Sequence, residues 1–301
     1  MANLKEMRLR IVSVKSTQQV TRAMKMVSAA KLRKAQDAII QIRPYAEKLH
    51  EILVSLVDQN GSSDFENKYA DHKETKRILI VAITSNRGLC GGFNSNVIKK
   101  VEELLATTYD TFHEKGLVDI MAIGKKAVDG LKAKNIAVSE TVHQLYDNLN
   151  YTRAEEVAQR LMDAYSNGEY DRIDLVYNQF KNAAIQKLTV EQFLPVEIKE
   201  EGDSNSKSDP HHYFNNFIFE PDVNEIMGTI IPKSLKIQFF KAILDSVASE
   251  HGARMTAMHK ATDNASELVR ALNLQYNKAR QSAITGEILE IVSGANALQG
   301  S

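Results

Sequence analysis

From Asp222 to Ser301 the chain carries a single proline, Pro232, and no cluster of turn-forming residues. Apolar residues recur there in steps of three and four: Ile237, Phe240, Leu244, Val247, Met255, Met258, Ala261, Ala265, Leu268, Leu272, Tyr276, Ala279 and Ala283. Ile284, Ile288, Ile291, Ala295 and Leu298 keep the rhythm to the end. That period is the stripe of a helix. From Lys233 to Leu298 such a helix is about 100 Å long at ~1.5 Å per residue. A compact globule of this chain length is only about 50 Å across. The sequence therefore predicts a helix that reaches past the body of its own molecule, with a one-sided apolar face in need of a partner.

The other end of the chain supplies that partner. Leu4, Met7, Ile11 and Val14, then Leu32, Ala35, Ile39, Ile42, Ala46, Leu49, Leu53 and Leu56, keep one coiled-coil seam in phase. Between the two sets Gln18, Thr21, Lys25 and Ser28 interrupt the apolar run, while Val20, Met24 and Val27 turn apolar surface to a neighbouring side. The expectation is that one helix covers the ends of the seam and a second contact covers the middle. Pro44 is expected to bend this helix rather than end it, because the seam continues beyond it. Two helices at opposite ends of a chain run antiparallel only if the segment between them returns the chain to its start. The architecture this predicts is a long antiparallel coiled coil of the N- and C-terminal helices with an inserted globular domain.

Composition excludes several classes. One cysteine in 301 residues rules out an internal disulfide and suits a reducing compartment. No apolar run is long enough to span a bilayer, and the charged, helical start does not read as a secretory signal. The formal charge is +0 overall, but the first 48 residues hold eleven Lys and Arg against Glu6, Asp37 and Glu47, a local balance of +8. Such a helix suits either an acidic protein surface or a plain solvated face. Without interleaved aromatics or a groove-reading motif it does not point to nucleic acid.

In the middle of the chain the period changes. Ile78-Leu79-Ile80-Val81-Ala82-Ile83 reads as a strand buried on both faces. A helix over 94–105 follows, then a strand near 117–123, a helix over 125–132 and a strand near 136–141. Thr152 with Glu155 has capping-box spacing for a helix through Tyr165. Strands over 171–180 and 186–194 complete the set, the second as a partly exposed edge. Strands alternating with helices predict a doubly wound, Rossmann-like α/β domain. The predicted organisation is an N-terminal coiled-coil helix over 1–58, a linker over 59–76 and the α/β domain over 77–196. A polar linker with a short extended segment over 197–220 and a C-terminal coiled-coil helix over 221–301 follow.

Few residues suggest chemistry. Asn86-Arg87-Gly88-Leu89-Cys90-Gly91-Gly92-Phe93 sits between a strand and a helix, where dinucleotide folds bind pyrophosphate. Its glycines fit neither Gly-x-Gly-x-x-Gly nor a Walker loop, so a tight structural turn is expected. Cys90 has no fixed histidine partner to make it a nucleophile, and His211-His212 lacks further ligands at metal spacing. No catalytic residue, cofactor site or metal site is expected, and the chain is predicted not to be an enzyme on its own. Two other classes remain open on these residues: a nucleotide-binding α/β protein with helical arms, and a cytoplasmic coiled-coil scaffold.

The last residues point to a partner of a particular kind. Beyond Gln281 only Glu287 and Glu290 are charged, among alanine, serine, glycine and isoleucine on several sides. A helix sparsely charged all round is normally buried, here inside other chains. At this point the sequence resembles the gamma subunit of bacterial-type rotary F-type ATP synthases. Ile284-Thr285-Gly286-Glu287-Ile288-Leu289-Glu290-Ile291-Val292-Ser293-Gly294-Ala295 matches the family's terminal pattern, with Ser293 a small departure. Thr21-Arg22-Ala23-Met24-Lys25-Met26-Val27, Arg43-Pro44-Tyr45 and Arg87-Gly88-Leu89-Cys90-Gly91-Gly92 match further blocks. So do Ala253-Arg254-Met255-Thr256-Ala257-Met258, Ala261-Thr262-Asp263-Asn264 and Tyr276-Asn277-Lys278-Ala279-Arg280-Gln281. The single cysteine argues against the thiol-regulated plastid form.

The resemblance implies a central rotor shaft that couples proton translocation to ATP synthesis or hydrolysis. It implies as partners three alpha and three beta subunits, the epsilon subunit and the c-subunit ring. By motif match Met24 and Arg254 are expected near an acidic lever of the beta subunit. Arg280, Gln281, Thr285 and Glu287 are expected near a beta loop around the tip. The implied location is peripheral, on the cytoplasmic face of the bacterial plasma (inner) membrane, with membrane association only through the complex.

Overall fold

The computed structural model describes residues 4–60, 68–69, 75–146, 149–196 and 223–299, without the side chains of 47, 50, 51, 53–60, 223, 224 and 297–299. The linker over 197–220, most of the linker over 59–76 and His211-His212 lie outside these residues. Two helices dominate: α1 (Leu4–Asn60) and α6 (Val223–Gln299), of 57 and 77 residues. Helix α1 continues through Pro44, and α6 through Pro232. The chain divides into two compact units, Ala30–Ala253 and Met1–Ala29 with Arg254–Ser301.

In the larger unit five strands form one sheet. They are β1 (Ile78–Ile83), β2 (Val118–Ile123), β3 (Glu140–Val142), β4 (Arg172–Phe180) and β5 (Gln186–Leu194). Their order is β3-β2-β1-β4-β5. The first four are parallel and β5 returns antiparallel along β4. Strand β1 is central and buried at every residue, as its unbroken Ile/Val/Leu composition requires of a strand covered on both faces. Strand β3 is shorter than expected and starts later, at Glu140. The residues before it, from Ile136, carry too little alternation to fix a pairing by themselves.

Alternate residues of β1 sort the layers, because successive side chains point to opposite faces. Ile78, Ile80 and Ala82 pack with Val97, Ile98, Val101, Leu104 and Leu105 of α2 (Phe93–Ala106), and with Ala127 and Leu131 of α4 (Lys125–Lys132). A short α3 (Asp110–Glu114) joins α2 to β2. On this side Asp174 is 1% exposed, yet it accepts from the Tyr109 hydroxyl and from Arg172 Nε at 3.2 Å, so its charge is compensated. Leu79, Val81 and Ile83 face α5 (Tyr151–Ser166) and the opening of α6. Met227, Ile231, Leu235, Phe239, Ala242 and Ile243 of α6 belong to that core, and Phe239 meets Phe193 of β5 with ring centroids 6.0 Å apart. The three-four spacing of the sequence did not distinguish these core residues from those of a seam.

Helix α5 starts differently from expectation. Its N-cap is Asn150, whose Oδ1 accepts from Arg153 N at 3.0 Å. Thr152 is already inside the first turn, so the Thr152/Glu155 capping box does not form. An Asn two residues earlier is an equally good cap, and two candidates this close cannot be ranked by spacing alone.

One glycine is required by close approach. Gly124, between β2 and α4, has φ +100°, and a Cβ there would stand 2.3 Å from the carbonyl oxygen of Thr84. Gly124→Ala should therefore lower stability by about 2 kcal/mol or more, from overpacking and a strained backbone together. Thermal unfolding of the purified chain checks this, and an unchanged midpoint contradicts it.

Candidate functional site

The glycine turn between β1 and α2 has the location of a nucleotide site, and the residues that open it fasten the neighbouring helix α4. The first three amides of α4 are already taken. Lys125 N donates to Asn86 Oδ1 at 3.0 Å, Lys126 N to Ser85 O at 3.1 Å and Ala127 N to Thr84 Oγ1 at 2.8 Å. These are the orphan donors that would otherwise bind an anion. The turn closes on itself in the same way. Ser85 Oγ donates to Arg87 O at 2.6 Å, Asn94 Oδ1 accepts from Ser85 N at 3.0 Å, and Asn94 Nδ2 donates to Cys90 Sγ at 3.2 Å. Cys90 is 2% exposed, so its thiol is an internal acceptor of the turn. Among the described residues no group of three or more His, Cys, Asp or Glu is placed to hold a metal ion.

The smaller unit carries the surface the sequence singled out. Here α1 and α6 are paired, and their direction is fixed by two contacts. Gln18 Nε2 donates to Ser266 Oγ at 2.7 Å, and Thr262 Oγ1 lies 2.9 Å from Thr21 Oγ1. Residue numbers rise on one helix as they fall on the other, so the pair is antiparallel. Along α1, Ile11, Thr21 and Ser28 are buried and Leu4, Met7, Val14, Gln18 and Lys25 half-buried. Those positions follow a strict seven-residue repeat, and the seam is continuous. The expected interruption does not occur. Gln18, Thr21, Lys25 and Ser28 stay in the seam as a polar layer, whereas Val20 and Val27 are 55% and 57% exposed. A polar layer survives at a seam when its hydrogen bonds are made across it. On α6 the matching line is Met258, Thr262, Ala265, Val269, Leu272, Tyr276 and Ala279. It replaces the expected Leu268, which is 43% exposed, with Val269.

The register also shows where the pairing stops. Contacts of residue 18 with 266 and 21 with 262 set Leu4 opposite about residue 280, so α6 beyond that point has no described α1 residue beside it. From Gln281 to Asn296 every residue is exposed except Gly286, which is half-buried. Ile284, Ile288, Leu289, Ile291 and Val292 are between 48% and 70% exposed. An apolar surface of this extent on a helix end marks a contact with another molecule.

The six residues singled out by motif fall into two sets on this unit. Met24 is half-buried and Arg254 is 7% exposed. Arg280, Gln281, Thr285 and Glu287 are exposed at the start of the unpaired end of α6, 26 or more residues further along the helix than Arg254. The Thr285 hydroxyl donates to Gln281 O at 2.9 Å, a bond within the helix that leaves the Gln281 amide for other partners. Arg280 and Glu287 stand two turns apart on one line of the helix. Arg254 differs from the other five in being buried by its own chain.

The family model described as ATP synthase matches residues 3–298. The ATP synthase gamma chain of Flavobacterium psychrophilum is 55% identical over 300 residues, covering 100% of both chains. This chain belongs to the ATP synthase gamma-chain family. Two solved structures share the fold. A chain of the Euglena gracilis mitochondrial ATP synthase (OSCP/F1/c-ring, rotational state 3) aligns with TM-score 0.67 at 23% identity, over 98% of this chain and 94% of that one. A chain of the central stalk/c-ring structure of the Tetrahymena thermophila mitochondrial ATP synthase aligns with TM-score 0.55 at 23% identity, over 80% and 99%. No helix among the described residues is long and apolar enough to cross a membrane.

The polar layer gives a direct test of the pairing. Thr21→Val and Thr262→Val should each destabilise the paired helices by about 1 kcal/mol, because each removes the contact across the seam and leaves the other hydroxyl only the backbone carbonyl of its own helix. The double variant should cost less than the sum of the two. Urea unfolding followed by helix ellipticity checks this, and strict additivity contradicts it.

Proposed function

We propose that this gamma chain is the central rotor shaft of an F-type ATP synthase and performs no bond chemistry itself. It transmits torque between a proton-driven c ring and a catalytic ring of three alpha and three beta subunits. The epsilon subunit is the further partner. The observation that carries this reading is the end of α6 from Gln281 to Asn296, where Ile284, Ile288, Leu289, Ile291 and Val292 are exposed and only Glu287 and Glu290 are charged. Such a surface suits a smooth sleeve made by other chains and is unfavourable in water. The gamma-chain relatives and the Euglena and Tetrahymena assemblies support the same role.

Coupling requires that each angle of the shaft interact differently with each state of the catalytic ring, since a contact of equal strength in all states shifts nothing. A shaft of two unequal helices meets that requirement: α6 alone forms the end, and both helices form the part behind it. In this reading Met24 and Arg254 stand near the acidic lever of a beta subunit, with the basic first helix supplying the long-range attraction. Because Arg254 is buried by its own chain, its part in that contact is to hold α6 against its neighbours. Arg280, Gln281, Thr285 and Glu287 meet the beta loop around the tip. The chain sits on the cytoplasmic face of the bacterial plasma membrane, held there by the complex.

The purified chain should hydrolyse no ATP, yet restore proton-coupled activity when assembled with the other subunits in membrane vesicles. Met24→Lys should lower proton pumping per ATP hydrolysed while the complex still assembles. Deleting the residues beyond Gln281 should weaken torque transfer and leave thermal unfolding of the α/β unit unchanged. ATP hydrolysis by the chain alone, or full coupling in the truncated form, contradicts the proposal.

A further inference from the structure

Helix α6 lies on the sheet through more than apolar contacts. Gln238, Asp245 and Ser249 are seven and four residues apart, so they share one line of the helix. Gln238 Nε2 donates to Glu191 Oε1 of β5 at 2.7 Å, and Ser249 Oγ donates to the Asn178 carbonyl of β4 at 2.9 Å. The other Glu191 oxygen accepts from the Tyr177 hydroxyl at 2.6 Å. Asp245, between the two anchored positions, is 5% exposed. Among the described residues its carboxylate accepts no hydrogen bond and makes no ion pair. The charged and titratable groups acting on it are Glu191 of β5, Tyr177 of β4, Lys241 one turn earlier on α6 and Arg43 of α1.

A carboxylate almost wholly covered by the protein, and with no protein donor, is unfavourable when ionised. We propose that Asp245 is a proton-linked latch on the seat of α6 over β4 and β5. Protonated, Asp245 is neutral and able to donate, and the seat is closed. Ionised, it opposes Glu191 inside the packed layer, and the seat opens more readily. Burial is the largest influence on Asp245. Lys241 and Arg43 favour its charge, Glu191 disfavours it, and the carboxyl is pushed up to about 6 from the ordinary 3.8. The closed seat therefore binds the proton more tightly than an opened, solvated one. Its extra stability is complete below pH about 4, declines as pH rises through 6, and is gone above it. Between pH 5 and pH 8 the opening constant should rise about tenfold. The inference concerns the fold of the larger unit and stands independently of the rotor proposal.

Hydrogen exchange on the full chain tests it, read at the amides of β5 and of residues 238–250 and corrected for the intrinsic pH dependence of exchange. The opening constant of the wild type should be about tenfold larger at pH 8 than at pH 5. Asp245→Asn should remove that difference and protect these amides at pH 8 at least as well as the wild type is protected at pH 5. Glu191→Gln removes the opposing charge while keeping an acceptor for Tyr177, and should narrow the difference; it serves also if Asp245→Asn does not fold. Wild-type protection that does not change with pH, lower protection at pH 8 in Asp245→Asn, or an unchanged pH dependence in Glu191→Gln each overturns the proposal.

Discussion

The pairing of the two ends of the chain is the contact on which the functional surface depends. A seam that recurs every seven residues specifies a partner helix but tolerates sliding, because one heptad of apolar side chains packs much like the next. The polar layer removes that tolerance. Gln18 with Ser266 and Thr21 with Thr262 meet in one register, and a shift by a heptad would bury at least one of these groups without its partner. Register is what decides which residues of α6 are left uncovered, and so where the exposed end begins.

The α/β unit supplies the connection that makes such a pairing possible. A chain whose first and last helices run antiparallel must reverse direction between them, and the sheet does this within residues 78–194. The parallel strands β1, β2, β3 and β4 need crossovers, which α2, α4 and α5 provide on the two faces. The last strand, β5, returns antiparallel, and α6 then starts as a layer of the same core. This arrangement shares the alternation of strand and helix found in nucleotide-binding folds. The amides at the start of α4 are held by Asn86, Ser85 and Thr84, so the turn that carries phosphate elsewhere fastens one helix to the neighbouring strand.

Much of this was legible in the sequence, and the differences have physical causes. The change of period at Ile78 gave every strand except the true start of β3, because a three-residue edge strand carries almost no periodic signal. The heptad of α1 is visible at Ile11, Leu32 and Ile39 and is masked at Gln18 and Thr21 by their polar side chains. A polar residue in the seam looks like an interruption until its partner on the far helix is known. The core role of Met227, Ile231 and Phe239 was hidden for a related reason. A helix face against a sheet and a helix face against a helix show the same spacing. Asp245 gave no signal at all, since a lone acid near Lys241 reads as surface until burial is seen. The apolar, weakly charged end of α6 was fully legible, because it depends on composition alone.

The most direct test of the account is a pair of engineered cysteines at Thr21 and Thr262 in the full chain. The antiparallel register brings these two short side chains together, with their hydroxyl oxygens 2.9 Å apart, near the reach of a disulfide. Mild oxidation should close the bond within one molecule, while cysteines placed at Val20 and Thr262 should not join, because Val20 turns away from the seam. Bond formation at Val20 in preference to Thr21, or only between separate molecules, would show that the two ends of the chain do not pair as described.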